Sequence, residues 1–193
     1  MHFLKKRSIR FYLGLVLVLV MAIGGSAITA FADSGTARVA VNAGNLTLTG
    51  VTNVSATAVT LTGDDQTTTY SMGLTVNDAR GSGTGWNLSV TSTTFTTGSQ
   101  SLSNTASSIN AAPAVVCSGT GDHCTNPDDS LITYPVGVPA GASAPPAVKF
   151  FDARANTGLG KFTITPMVTI AIPGNTYAGT YTSTVTIALS IGP

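Results

Sequence analysis

Apolar and small polar side chains alternate along several segments of this chain, and that alternation constrains the fold more than any other feature. It is clearest over residues 70–77, 162–172 and 180–191, where large apolar residues take most alternate positions and small polar residues, chiefly Thr, lie between them. Successive side chains of a β-strand point to opposite faces, so each segment predicts a strand with one buried face. No window carries an apolar stripe at helical spacing over three turns, which excludes a helical bundle.

Composition agrees with a fold made of many short strands. Thr is β-branched and favours strands, and 30 of the 161 residues from Asp33 onward are Thr. A chain of this length can build one domain with its own core. We therefore predict an all-β fold over residues 33–193, a single antiparallel β-sandwich or barrel. The shorter alternating runs that would supply further strands are residues 37–41, 46–51, 58–62, 86–91 and 147–151.

The first 32 residues have the composition of an export signal. Basic residues at positions 5, 6, 7 and 10 precede an apolar run of about 13 residues, shorter than the roughly 20 that span a bilayer. Ala30-Phe31-Ala32 supplies a cleavage site of the small-x-small type. We predict that residues 1–32 are a signal peptide, that the mature chain starts at Asp33, and that it has no membrane contact. The chain carries no Leu-Pro-x-Thr-Gly sorting signal, so surface retention is expected to be non-covalent.

Charge and the scarcity of reactive side chains narrow the possible functions. Five basic and eight acidic residues follow position 32, which gives the mature chain a net charge of 5 − 8 = −3. This balance excludes a basic nucleic-acid-binding face. The carboxylates are scattered, and His123, the single mature histidine, has no nucleophile motif beside it. We expect no enzymatic activity, no metal site and no cofactor.

Residues 99–146 are the least regular part of the chain. They contain both cysteines and six prolines, and they form either a long insertion or a region with one or two short edge strands. Cys117 and Cys124 enclose six residues, and in an oxidising compartment a disulfide between them is the default. A metal would need more ligands than His123 between the two thiols. We predict a Cys117–Cys124 disulfide.

The tripeptide Asp-Ala-Arg occurs twice, at residues 78–80 and 152–154. Each copy leads through a glycine-containing turn into an alternating strand. The repetition is either coincidence or the mark of two similar corners of the sheet. In the second case each corner holds a local Asp–Arg pair, which we expect to be exposed and to contribute about 0–1 kcal/mol.

One segment that includes the first tripeptide resembles a known family. Residues 76–88, Val-Asn-Asp-Ala-Arg-Gly-Ser-Gly-Thr-Gly-Trp-Asn-Leu, resemble the first signature of the WxL domain family. Residues 177–189, Tyr-Ala-Gly-Thr-Tyr-Thr-Ser-Thr-Val-Thr-Ile-Ala-Leu, look like its closing signature, and Gly158-Leu159-Gly160 also fits the family pattern. Members of that family are secreted surface proteins of Gram-positive-type bacteria.

The resemblance implies an all-β domain, Ig-like in style, that is exported and associates with the cell wall without a covalent link. It also implies cell-wall glycan, namely peptidoglycan, as the partner, with other surface proteins as possible further partners. The closing signature normally carries a second Trp-x-Leu, and this chain has Ile187-Ala188-Leu189 there instead. The motif residues that the resemblance assigns are Trp86, Leu88, Ile187 and Leu189.

Trp86 has two possible roles. Trp86, Leu88 and Val90 share one face of a strand, which favours a buried core position. A tryptophan that stacks on sugar rings would instead be exposed. We predict that Trp86 belongs to the core and that Ile187 also points inward. The other candidate ligand contacts are Tyr134, Phe151 and Tyr177.

Two functional classes fit these observations. The first is a surface module that binds the cell wall, which the family resemblance favours. The alternative is a structural subunit of a surface fibre or matrix that assembles by pairing of β-strands. Exposed aromatic side chains beside a shallow groove would support the first, and an unpaired terminal strand would support the second. We predict that the last strand, residues 180–191, is central or well paired.

Overall fold

The computed structural model describes residues 35–50, 52–121 and 123–193, so the predicted signal peptide lies outside the described residues. Within these ranges all regular secondary structure is β-strand, which confirms the all-β prediction. In chain order the strands are β1 (Leu46–Thr49), β2 (Gln66–Ser71), β3 (Leu74–Asp78), β4 (Trp86–Thr93), β5 (Thr96–Thr97), β6 (Gln100–Ser101), β7 (Ser107–Ile109), β8 (Ala114–Cys117), β9 (Val136–Gly137), β10 (Ala140–Gly141), β11 (Val148–Ala153), β12 (Gly160–Thr165), β13 (Met167–Ile172) and β14 (Val185–Ile191).

These strands form three four-stranded sheets and one small hairpin of β5 and β6. The first sheet has the order β1-β3-β12-β8, and the second has the order β2-β13-β7-β9. In the third sheet β4 is central, with β14 along one side and β11 and β10 on the other. The pairings are antiparallel except for the short one between β10 and β4. No sheet of the described residues closes on itself, so the fold is sandwich-like and not a barrel.

Two segments that the alternation predicts as continuous strands are each divided in two. Residues 70–77 are interrupted at Met72 and Gly73, and residues 162–172 are interrupted at Pro166. The interruptions lie side by side, because the Met72 backbone N–H donates to the Pro166 carbonyl at 3.2 Å. A proline has no N–H to give to a ladder, so the paired strands leave the first sheet here and continue in the second. The predicted faces are nevertheless correct: the buried side chains of the first segment are Tyr70, Met72, Leu74 and Val76.

Two shorter predicted strands do not form. Residues 37–41 pair with no strand of the described chain, and Val39 is 87% exposed. Residues 58–62 follow a contact with β2, in which the Thr68 hydroxyl donates to the Thr57 carbonyl at 2.7 Å, but no ladder develops. Alternation in the sequence is therefore not sufficient for a strand.

The middle of the chain is more regular than predicted. Residues 99–146 contain five short strands, β6 to β10, where we expected an insertion or one or two edge strands. Strand β7 even lies inside the second sheet, between β13 and β9. Each of the five has only two to four residues, too few for a period of two to stand out in the sequence.

The position of the last strand differs from the prediction. Strand β14 starts at Val185, and among the described strands it pairs only with β4, so it is an edge strand and not a central one. Its inward-facing side chains Ile187 and Leu189 are half-buried, and Ile191 is 70% exposed. The alternation correctly predicted which side chains face inward. It does not report how many neighbours the strand has.

Residues 41–193 form one compact unit, and the buried apolar side chains among its described residues make one core. Trp86, Leu88 and Val90 of the third sheet contribute to this core, together with Phe162 and Ile164 of the first sheet. No helix in the described part of the chain is long and apolar enough to cross a membrane.

Candidate functional site

Trp86 lies at the start of β4 with its side chain inside the core. Its exposed fraction is 0%, and its ring stacks on Phe151 with centroids 5.8 Å apart and planes inclined by 27°. The indole Nε1 donates a hydrogen bond of 2.9 Å to the backbone carbonyl of Gly158. A buried indole needs one partner for its N–H, and this bond supplies it. The core position predicted for Trp86 is confirmed, and no face of the ring is left for a sugar.

Gly158 shapes the pocket that holds the indole. Its φ of +69° lies in the left-handed region that glycine tolerates best. A Cβ at this position would lie 2.7 Å from Trp86 Nε1 and 2.6 Å from the Ala153 Cβ. The turn before β12 therefore needs glycine both for its backbone conformation and for its close approach to the tryptophan.

The two sequence motifs lie side by side in the third sheet. In the antiparallel register Leu189 is opposite Leu88, Ile187 is opposite Val90, and Trp86 is opposite Ile191. Directly opposed residues of antiparallel strands point to the same face, so the motifs form adjacent apolar rows. Ile187 keeps its row apolar in the absence of the family's second tryptophan.

The first Asp-Ala-Arg forms a buried ion pair where we predicted an exposed one. The Arg80 Nε and Nη2 atoms donate to the two carboxylate oxygens of Asp78 at 2.9 and 2.8 Å, and the Asp78 side chain is 0% exposed. Arg80 Nη2 also donates to the Gly85 carbonyl at 2.9 Å. Because Gly85 directly precedes Trp86, this pair fixes the entry of the chain into the motif strand.

The second Asp-Ala-Arg does not form the predicted pair. Arg154 lies 3.4 Å from Asp128 instead, and Asp152 is 1% exposed with no hydrogen-bond partner for its Oδ1 among the described residues. Burial raises the pKa of Asp152. The hydrogen bonds from Arg80, by contrast, lower the pKa of Asp78. The two copies of the tripeptide therefore have opposite electrostatic environments.

These shifts predict opposite pH dependences for two matched variants. The raised pKa of Asp152 means that the folded state binds this proton more tightly than the unfolded state, so stability is lost as pH rises through the raised pKa. The lowered pKa of Asp78 means that stability is lost as pH falls below its ordinary value. We therefore expect the melting temperatures of the two variants, each compared with that of the wild type, to change in opposite directions as the pH rises from about 3 to about 7. Asp152→Asn should become more stable than the wild type, and Asp78→Asn should become less stable. Equal destabilisation of both variants at neutral pH would contradict this assignment.

The three predicted ligand contacts differ in how far their side chains are exposed to solvent. Phe151 is 1% exposed against Trp86, so its prediction as a ligand contact is wrong. Tyr134 is half-buried, its hydroxyl donates to the Phe150 carbonyl at 2.8 Å, and burial and then Asp129 raise its pKa. Tyr177 is 66% exposed. Of the three side chains, that of Tyr177 is the most accessible to a ligand.

The predicted disulfide is present. Cys117 at the end of β8 bonds to Cys124 across a Cα–Cα distance of 6.0 Å. Cys124 also packs against Gly160, where an added Cβ would lie 3.1 Å from the sulfur atom. The bond thus ties the middle segment to the start of β12, next to the turn that holds Trp86.

Tyr177 belongs to a shallow groove of about 210 Å³, which we call the tyrosine groove. Tyr181 belongs to the alternating segment 180–191, and that alternation predicts its side chain on the inward face of the last strand. Because β14 starts at Val185, Tyr181 lies in the preceding loop, where its hydroxyl donates to the Tyr177 carbonyl at 3.0 Å. The turn-forming run Pro-Gly-Asn-Thr-Tyr at 173–177 is the sequence signal that could have identified this site. The lining residues are Gln100, Ser101, Leu102, Ser103, Pro173, Asn175, Thr176, Tyr177 and Tyr181.

A larger groove of about 830 Å³, the threonine groove, follows the outer side of β2. Pro173 lines both grooves, so they adjoin at that residue. Five of the twelve lining residues are Thr. Asp65 is the one charged residue that lines either groove, and its Oδ1 accepts the Gly174 N–H at 2.9 Å. The lining residues are Thr57, Ala58, Val59, Thr60, Asp65, Gln66, Thr67, Thr68, Thr69, Ala171, Ile172 and Pro173.

The fold and these surfaces define a class of protein: a sandwich-like β domain with a tryptophan-anchored core and a nearly uncharged, hydroxyl-rich surface groove. A family model described as "WxL domain surface cell wall-binding" matches residues 40–193, which is most of the chain. The chain therefore belongs to the WxL family of surface cell-wall-binding domains. No curated protein and no solved structure matches it.

Proposed function

We propose that this protein is secreted and binds peptidoglycan non-covalently at the cell surface, through the tyrosine groove and the adjoining threonine groove. Membership of a surface cell-wall-binding family supports the general role. The observation that carries the specific proposal is the exposed Tyr177 ring beside the half-buried Tyr181. Aromatic rings of this kind present a flat apolar face on which a sugar ring can stack.

The chemistry of the lining fits a neutral sugar polymer. Thr and Ser hydroxyls and the amides of Gln100 and Asn175 can exchange hydrogen bonds with sugar hydroxyl and acetamido groups. Neither lining includes a Lys or Arg side chain. Recognition of a polyphosphate such as a teichoic polymer would call for such cations. The glycan of peptidoglycan is therefore the better match.

We further propose that the protein binds without catalysis. Hydrolysis of a glycosidic bond uses two carboxyl groups about 5–10 Å apart on either side of the scissile bond. The two grooves together offer one carboxylate, Asp65, which is already engaged with the Gly174 N–H. The raised-pKa carboxyl of Asp152 is buried away from both linings.

Removal of the exposed ring should abolish most of the wall affinity and leave the fold intact. We expect Tyr177→Ala to weaken binding to purified sacculi by about tenfold or more, as for a truncated aromatic hot spot. Because Tyr177 is 66% exposed, the melting temperature should change little. Co-sedimentation of the protein with sacculi, stripped of teichoic polymers or intact, measures the affinity.

Two control variants sharpen this test. Tyr177→Phe keeps the ring and should bind nearly as well as the wild type. Leu131→Ala removes a side chain that is 63% exposed but lines neither groove, and it should bind normally. Wild-type binding by Tyr177→Ala, or binding that disappears when teichoic polymers are stripped, would contradict the proposed site and ligand.

A further inference from the structure

Strand β14 leaves one edge of the third sheet open. It is seven residues long, and its described hydrogen-bonding partner is β4 alone. Natural edge strands are usually protected by Lys, Pro, a bulge or a covering segment. Strand β14 has the sequence Val-Thr-Ile-Ala-Leu-Ser-Ile and an uninterrupted register with β4. It therefore lacks each of these forms of protection within its own length.

The hydrogen bonds at the two ends of β14 show which backbone groups face the open edge. The Thr93 N–H donates to the Thr184 carbonyl at 2.9 Å, and the Gly192 N–H donates to the Gly85 carbonyl at 3.1 Å. In an antiparallel ladder the bonded pairs alternate with unbonded ones. With the register constant between these two bonds, the even-numbered residues of β14 bond to β4. The residues whose N–H and C=O groups point to the open edge are Val185, Ile187, Leu189 and Ile191.

The side chains of these same four residues are incompletely covered. They belong to the apolar face of the sheet, yet Val185, Ile187 and Leu189 are only half-buried and Ile191 is 70% exposed. An added strand would therefore bond four N–H and four C=O groups and at the same time cover apolar surface. The opposite face presents only Thr186, Ala188 and Ser190, which are small, uncharged and exposed.

We propose that this edge is an interface with a second copy of the chain, in which the two β14 strands pair antiparallel about a two-fold axis at Ala188. In that register Ile187 of one copy is opposite Leu189 of the other, and Val185 is opposite Ile191. Every backbone group that points to the open edge then meets an equivalent group of the partner, and every cross-strand pair on the inward face is apolar.

Self-pairing fits this edge because the edge is self-complementary. A two-fold interface places a residue on the axis opposite its own copy, so a charge there would face a like charge. Ala188 on the axis is small and neutral, and Thr186 meets Ser190 of the second copy. Two other edge strands have six residues each. Strand β2 is flanked by residues 57–60 across the threonine groove, and β11 contains Lys149 and a shift of register between Lys149 and Phe151. Strand β14 is therefore the open edge of the three.

A single introduced cysteine tests the register directly. Both native cysteines are in the disulfide, so Ala188→Cys adds the one free thiol among the described residues. Opposed residues at an unbonded antiparallel pair have Cα atoms about 4.5 Å apart, within the range that a disulfide spans. We expect mild oxidation to convert Ala188→Cys into a covalent dimer on non-reducing gels. Thr186→Cys is the matched control: its two copies would lie about 14 Å apart along the strands and should not cross-link.

Association of the unmodified chain provides the second measurement. Sedimentation velocity over a range of concentrations should show a monomer–dimer equilibrium for the wild type. Ala188→Lys, which opposes like charges on the axis, should weaken the dimer about fivefold or more while the near-ultraviolet circular dichroism of the domain stays unchanged.

A wild type that stays monomeric would overturn the proposal. Equal cross-linking of Ala188→Cys and Thr186→Cys would overturn it too, as would pairing of β14 with residues 37–41 or with another surface protein. None of these measurements involves the cell wall, so they are independent of the proposed ligand.

Discussion

Replacement of Trp86 by alanine is expected to lower the free energy of unfolding by about 3–5 kcal/mol, because it leaves a cavity that the surrounding core cannot fill. The side chain is 0% exposed and stacks on Phe151. Its N–H bond to the Gly158 carbonyl is lost as well, which leaves that buried acceptor without its partner. Urea unfolding followed by far-ultraviolet circular dichroism measures the change, since the variant has no tryptophan to report it.

Wall binding by Trp86→Ala should fall only in proportion to the fraction of unfolded protein. Trp86→Phe is the control, since it keeps a ring against Phe151 and removes the hydrogen bond, and it should cost about 1–3 kcal/mol. A Trp86→Ala protein with wild-type stability that no longer binds sacculi would contradict the core role assigned to this residue.

The second large effect is expected at Gly158. An alanine there must adopt a φ of +69° and place its Cβ within 2.7 Å of the indole nitrogen. Left-handed backbone costs about 1–2 kcal/mol for a residue with a Cβ, and overpacking of a filled core adds roughly 1–3 kcal/mol. We therefore expect Gly158→Ala to lose about 2–5 kcal/mol of stability, with a red shift of the Trp86 emission as the indole is displaced.

Gly81 separates the two contributions. Its φ of +66° is nearly the same as that of Gly158, but no atom lies within 4 Å of the position its Cβ would take. Gly81→Ala should therefore cost only the backbone component, about 1–2 kcal/mol, and leave the tryptophan emission unchanged. If the two alanine variants lost equal stability, the contact between Gly158 and Trp86 would not be a determinant of the fold.

The alternation in the sequence predicted most of the longer strands and their buried faces, although two further alternating runs form no strand. Trp86, Leu88 and Val90 are buried as predicted, because each lies on the apolar side of a strand with neighbours on both edges. The disulfide was predictable because two cysteines so close together, in a chain predicted to be exported, have few other partners. Family membership was recognisable because the signatures contain residues that this core requires, such as Trp86 and Gly85, where an added Cβ would meet the Ala153 carbonyl.

Other features depend on contacts that no local pattern reveals. The edge position of β14 depends on where the sheet ends, and residues 37–41 alternate without forming a strand. Asp78 and Asp152 each begin a copy of the Asp-Ala-Arg tripeptide, yet only Asp78 pairs with the arginine of its own copy. Arg154 pairs with Asp128 on another loop instead. The tyrosine groove brings residues 100–103 next to residues 173–181, segments far apart in the chain.

The two-motif arrangement explains why the second tryptophan can be absent from this chain. Position 187 is opposite Val90 on an edge strand, where the side chain is only half-buried. An isoleucine there continues the apolar row at little cost in burial. Position 86, by contrast, has a pocket fitted to an indole, with a carbonyl to accept its N–H and a glycine that leaves room for the ring.

The central claim is that the motif tryptophan stabilises the core and does not contact the ligand, and the emission of Trp86 tests it most directly because Trp86 is the single tryptophan of the chain. We expect a blue-shifted emission that iodide does not quench and that stays unchanged when soluble peptidoglycan fragments are added at concentrations that saturate binding. An emission that is red-shifted, quenched by iodide and altered by the fragments would show that the indole is a contact of the cell wall.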